Sequence, residues 1–178
     1  MADEPIAVVP YDPDWPRRFE AERALLAQVL DPWLEGGIHH IGSTAVPGLA
    51  SKPIIDMMAG VHDFDEARAA FDPLAAHSYV YAPHRPGIAH HFAKPSPRVS
   101  ETTYGLHLTE PGSDLWLERL AFRDALRADT ALAAEYGAWK LEHAEAPGSP
   151  GAYSADKRPF VARVLAAVGV DLFVVSPR

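Results

Sequence analysis

The chain has 178 residues, 48% of them hydrophobic and 22% charged, an ordinary globular composition that excludes a mainly disordered chain. Its 16 Lys and Arg against 24 Asp and Glu leave a net charge of −8, which argues against a broad phosphate-tracking surface for DNA or RNA while leaving room for one local basic pocket. There are no cysteines, so disulfides, thiolate catalysis and Cys-based metal sites are excluded.

No apolar run approaches the roughly 20 residues of a membrane span, and the N-terminus MADEPIAVVP is acidic where a signal peptide would be basic. The expectation is a cytoplasmic protein without a membrane partner. No linker or repeat divides the chain, so a single domain is expected over 1–178.

The first helix starts at Asp14 as cap, with Pro16 in its first turn and Trp15, Phe19, Leu26 and Val29 on one face; it should stop before Pro32. Ile38 to Ile41 reads as a short strand running into a Gly-Ser turn. Ile54 to Val61 is apolar apart from Asp56, the pattern of a strand buried on both faces. Phe64 to Phe71 reads as helical, with Asp72-Pro73 starting a further turn, and strands follow at Ser78–Ala82 and Thr103–Thr109. Between them, residues 83–101 hold Pro83, Pro86, Pro95 and Pro97 and read as one long functional or mobile loop.

The last third is helical: one helix capped by Ser113 and carrying Trp116, Leu120, Phe122 and Leu126, and another capped by Asp129 with Leu132, Tyr136 and Trp139. A final helix follows Asp156, with Pro159 in its first turn and Gly169 as its stop. Strands early and helices late predict an α+β fold, a small mixed sheet with packed helices.

Most of the chemistry lies in His40 to Met58, HIGSTAVPGLASKPIIDMM. A strand ends at Ile41 and the chain turns through Gly42, Ser43 and Thr44. There glycine lets successive N–H groups point at one spot and two hydroxyls add donors, a combination suited to a phosphate. Lys52 can bring a positive charge to the same place. Asp56 follows within an apolar strand, where a carboxylate needs a cation, a metal or several donors, or must stay protonated.

Nine histidines invite a metal reading in which His40, His91 and His107 converge with Asp56, though no His-x-x-x-His spacing accompanies them. Arg85, Lys94, Arg123, Lys140 and Lys157 form a further set able to surround a polyphosphate, with salt bridges to carboxylates as the ordinary alternative. A serine-hydrolase reading of Ser43, His40 and Asp56 fails because Gly42-Ser43-Thr44-Ala45 has no second glycine to form the nucleophile elbow.

The segment GSTAVPGLASKPIID, with the opening VVPYDPDWPRRFEAE, the strand YGLHL carrying His107, the FRDALR helix and the tail residues Tyr136, Lys140, Tyr153, Lys157 and Phe160, resembles the GrpB-like family. Domains of that family also occur C-terminal to dephospho-CoA kinase in some bacteria. The resemblance implies that Lys140 and Lys157 line the site.

It further implies a nucleotidyltransferase-like fold, in which a strand-end Gly-Ser precedes a strand carrying paired carboxylates; here 12 residues separate Ser43 from Asp56. The implied chemistry is in-line attack on a nucleoside triphosphate, with Mg²⁺ held by the carboxylates and the Gly-Ser backbone gripping the outer phosphates. Ser43, Thr44 and Lys52 would then hold phosphate, Asp56 would be the metal or sugar contact, and His107 its partner. The chain departs from this pattern at Met58, two residues beyond Asp56 on the same strand face, where a second oxygen ligand would stand. The alternative is therefore a nucleotide-binding accessory or regulatory domain linked to CoA biosynthesis, without chemistry of its own.

Overall fold

In the computed structural model, which describes residues 7–83, 85–144 and 157–170, helix α1 (Trp15–Val29) precedes β1 (Leu34–Ile41) and β2 (Ile55–Val61). A 3₁₀ turn over Glu66–Ala70 runs straight into α2 (Phe71–Ala76); β3 (Val80–Tyr81), β4 (His90–Lys94) and β5 (Tyr104–Thr109) follow. Helices α3 (Asp114–Ala128), α4 (Thr130–Ala144) and α5 (Arg158–Ala167) complete the described residues.

The strands form one mixed sheet in the order β1-β2-β5-β4-β3, with β2 and β5 parallel and the other neighbours antiparallel. This is the expected small mixed sheet with packed helices. Pairing places Asp56 beside Ile41 and Gly105, Met58 beside His39 and His107, and His91 beside His107. Since alternate residues of a strand share a face, Ile41, Asp56, Met58, Gly105, His107 and His91 lie on one side of the sheet.

The other side carries the main core, where Ile55, Met57, Ala59, Leu106, Leu108 and Phe92 pack against Trp15, Phe19 and Leu26 of α1 and Leu74 of α2. Beneath it a buried polar group is satisfied: Glu22 accepts from Tyr79 Oη at 2.8 Å and from Lys94 Nζ at 2.7 Å. On the Asp56 side, Trp116 and Leu120 of α3 cover Ile41 and Met58. Val46 and Leu49, just beyond the Gly42–Ser43 turn, insert among Leu126, Tyr136, Phe160 and Val164 of the three C-terminal helices. Those helices thereby hold the turn against the sheet.

Several local expectations differ in detail. Asp14 stands at the start of α1 without a side-chain capping bond; its carboxylate pairs with Arg17 instead. Ser113 and Asp129 do cap their helices, Ser113 accepting from Trp116 N and Asp129 from Ala131 N and Leu132 N. The Phe64–Phe71 helix is a 3₁₀ turn, and the α-helix begins only at Phe71. β1 starts four residues before the predicted Ile38, because a register shift at Gly36 and Gly37, both at positive φ, hides its first half from a pattern reading.

The largest correction concerns residues 83–101. They are not a single loop, because His90–Lys94 pairs along β5 as strand β4. His90 and Phe92 enter the aromatic core around Phe64 and Phe71, while His91 faces the other way.

Candidate functional site

Where β1 ends and β2 and β5 begin, two glycines flank one carboxylate. A Cβ at Gly42 would stand 2.9 Å from Asp56 Oδ2, and one at Gly105 would stand 2.5 Å from Asp56 Oδ1. Gly42 also sits at φ +71°, a left-handed conformation that favours glycine. The carboxylate thus lies in a slot that exists only because both neighbours lack side chains.

Cations surround that slot. Burial pushes the Asp56 carboxyl above its ordinary value, and Arg119, His91, Lys157 and Lys52 pull it back down. Lys52 is lowered by burial and raised by Asp56. Lys157, at the start of α5, is pushed down to about 8 by burial, then by the like charges of Arg119, Lys52 and Arg85, with Asp56 opposing. Arg85 is lowered by burial and by Arg119. Lys52, Arg119 and Lys157 therefore act on one carboxylate, with Arg85 in range of Arg119 and Lys157, in a chain of net charge −8.

Of the phosphate-binding expectation, Gly42, Ser43, Lys52 and Lys157 lie at this slot. Ser43 hydrogen-bonds the Tyr136 hydroxyl, whose pKa burial raises to about 12. Thr44 is buried and committed to the fold: its hydroxyl donates to Ile54 O at 3.1 Å and accepts from His40 Nε2 at 3.0 Å. Lys140 is also buried; it donates to Ala50 O and lies over the Tyr136 ring at 5.0 Å. Burial, with the charge of Lys157, brings Lys140 down to about 7. Tyr153 lies outside the described residues.

The histidines separate. His91 and His107 face Asp56's side of the sheet, their ring centroids 4.6 Å apart. His91 Nδ1 donates to Ala82 O at 3.0 Å. His40, paired beside Met57, points to the opposite side and stacks on Phe19 at 4.7 Å, so the expected convergence of His40 with His91, His107 and Asp56 does not form. Burial holds His40 down at about 4, a neutral imidazole at neutral pH. Among the described residues no group of three His, Asp or Glu side chains is arranged to hold a metal ion. One carboxylate beside Met58, ringed by cations, does not fit a two-Mg²⁺ centre, which needs several oxygen ligands.

The other basic candidates disperse: Lys94 pairs with Glu22 in the far core, and Arg123 donates to His40 O while pairing with Asp124. Arg119 is the residue that sequence reasoning passed over. A signal was present, since it lies three residues beyond Trp116 on the stripe of α3 that covers the sheet. With Arg85, Ala89, His91, His107 and Leu115 it lines a cavity of about 10 Å³, room for one water-sized group.

The sequence profile of the GrpB protein family matches residues 5–167. The chain belongs to the GrpB family. It is 30% identical over 164 residues to the glutamate-rich protein GrpB of Alkalihalophilus pseudofirmus, covering 90% of this chain and 94% of that one. A UPF0157 protein of Deinococcus radiodurans is 33% identical over 85% of this chain and 76% of its own. The crystal structure of the conserved protein GrpB from Enterococcus faecalis superposes with a TM-score of 0.80 at 30% identity, covering 90% of this chain and 96% of that one. A dephospho-CoA kinase of Mycolicibacterium paratuberculosis is 32% identical over 67% of this chain, but the match spans only 28% of the kinase. Among the described residues of this GrpB family member, no helix is long and apolar enough to cross a membrane.

Proposed function

We propose that this GrpB family member binds a nucleotide or a related polyphosphate compound in the slot where β1 ends and β2 begins. The Gly42–Ser43 turn, Lys52 and Lys157 receive phosphate, and Asp56 accepts hydrogen bonds from hydroxyl groups of the ligand. The reading is carried by one observation: Lys52, Arg119 and Lys157 gather at a single carboxylate, with Arg85 beside Arg119, in an otherwise acidic protein. Mutual repulsion among such groups is unfavourable unless an anion joins them.

Met58, fully buried beside His39 and His107 in the position of a second oxygen ligand, favours binding without chemistry over nucleotidyl transfer. The partial match to a dephospho-CoA kinase supports an accessory role linked to CoA synthesis.

Thermal unfolding with nucleoside triphosphates, dephospho-CoA and CoA, each with Mg²⁺ or with EDTA, tests this. A binder at a hundred times its Kd adds about 2.7 kcal/mol, on the order of 5 °C for a chain of this size. The expected result is a shift independent of metal. A shift that needs Mg²⁺ and disappears in Asp56→Asn would instead support the transferase reading with Mg²⁺ at Asp56. No shift with any compound would overturn nucleotide binding.

A further inference from the structure

We infer that the crevice between Arg85, His91, His107 and Arg119 is a second oxyanion subsite, which takes a terminal phosphoryl or carboxylate oxygen of the ligand without a metal ion. The inference rests on the preceding reading, in which a phosphate-bearing molecule occupies the neighbouring Gly42–Ser43 turn, and it adds that the ligand carries a second anionic group.

Three observations meet at this place. Arg119 Nε is buried and has no hydrogen-bond partner among the described residues. A buried polar group left unpaired is costly, more so when it is charged, and an incoming oxygen atom would satisfy it. The enclosed space, about 10 Å³ between the apolar walls of Ala89 and Leu115, admits one oxygen rather than a whole phosphate. The group therefore presents one oxygen to Arg119 while its remainder lies toward Asp56 and the turn. Finally, Arg119 lies close enough to Arg85 to weaken its charged form, and both act likewise on Lys157. Glu118 and Asp56 are the acidic groups that oppose them.

The donors at this end are therefore guanidinium groups of the protein, where a transferase of the two-metal kind would rely on a bound cation. An anion held by such donors needs no divalent metal.

The test is calorimetric titration of the full chain, in EDTA, with orthophosphate, pyrophosphate and malonate, together with thermal unfolding of the unliganded protein. Pyrophosphate is expected to bind at least about tenfold tighter than orthophosphate, because it reaches both subsites. Arg85→Gln and Arg119→Gln should each weaken pyrophosphate by about ten- to a hundredfold, the scale of a charge-assisted hydrogen bond, and orthophosphate much less. If malonate matches pyrophosphate in its dependence on Arg85, the second group is a carboxylate; if malonate does not bind, it is phosphoryl. Both results uphold the subsite.

Arg85→Gln should also leave the unliganded Tm equal to or above wild type, since it relieves repulsion, whereas loss of a purely structural contact would lower it. Arg119 lies on a packed helix, so Arg85→Gln, on the rim, carries the test should Arg119→Gln unfold. Retained pyrophosphate preference in Arg85→Gln, or binding that requires Mg²⁺, would overturn the subsite while nucleotide binding stands. Failure of nucleotides and inorganic anions alike would remove both readings.

Discussion

Gly105 faces Asp56 directly across the parallel pairing of β5 with β2, and a single methyl group at 105 would stand 2.5 Å from Asp56 Oδ1. On its other side the carboxylate faces Gly42, which likewise has no side chain. Gly105→Ala should therefore displace the carboxylate and cost about 1–3 kcal/mol, as overpacking does. Urea unfolding combined with nucleotide titration checks this. A variant that binds ligand with wild-type affinity would show that the slot does not need its present shape.

Asp56→Asn should move two classes of ligand in opposite directions. Removing a like charge from an anion site tightens inorganic pyrophosphate severalfold, while losing an ionised acceptor for ligand hydroxyls weakens nucleotides by about tenfold. Parallel titrations with pyrophosphate and with a nucleotide would reveal it. A fall in both affinities would mean that Asp56 holds phosphate indirectly.

Thr44→Val preserves shape but deletes the hydroxyl that joins His40 Nε2 to the carbonyl of Ile54. Two buried partners are then unsatisfied, and stability should fall by about 1–3 kcal/mol. Thr44→Ser should recover most of the loss. Denaturant midpoints of the two variants make the comparison.

Stability should depend on pH in two separate ranges. Lys140 titrates near 7 in the folded chain against an ordinary value of 10.5. Between those values the unfolded chain binds the extra proton, so stability rises with pH by at most about 1.4 kcal/mol per unit for this one group. Lys157, lowered to about 8, adds to the upper part of the same rise.

His40 is depressed from 6.5 to about 4, so stability is lost as pH falls through that interval, where the unfolded chain again holds more protons. Urea unfolding at pH 4.5, 6.5, 8.5 and 10 should show both limbs, and Lys140→Met should flatten the alkaline one. An unchanged alkaline slope in Lys140→Met would assign that limb to other groups.

Much of this organisation was legible in the residues. The helices near 15, 114, 130 and 158 announce themselves through a proline in the first turn or through the caps Ser113 and Asp129, and through apolar spacing, all features contained within a few consecutive residues. The slot was half visible as well: a Gly-Ser turn followed by one acid in an apolar strand marks Gly42, Ser43 and Asp56 without reference to the rest of the chain. β4 was hidden because its five residues lie among prolines and become a strand only by pairing with β5.

Thr44 and Lys140, which resemble ligand donors in the sequence, hydrogen-bond His40, Ile54 and Ala50, partners brought near by folding. Arg119 needed the docking of α3 over Met58 before its charge could act on Asp56. Local hydrogen bonding and periodicity are written into neighbouring residues, so the sequence by itself determined the helices, the turn and the isolated acid. Which distant charges share that acid's surroundings was decided only when burial of the whole apolar surface selected one packing of helices on the sheet.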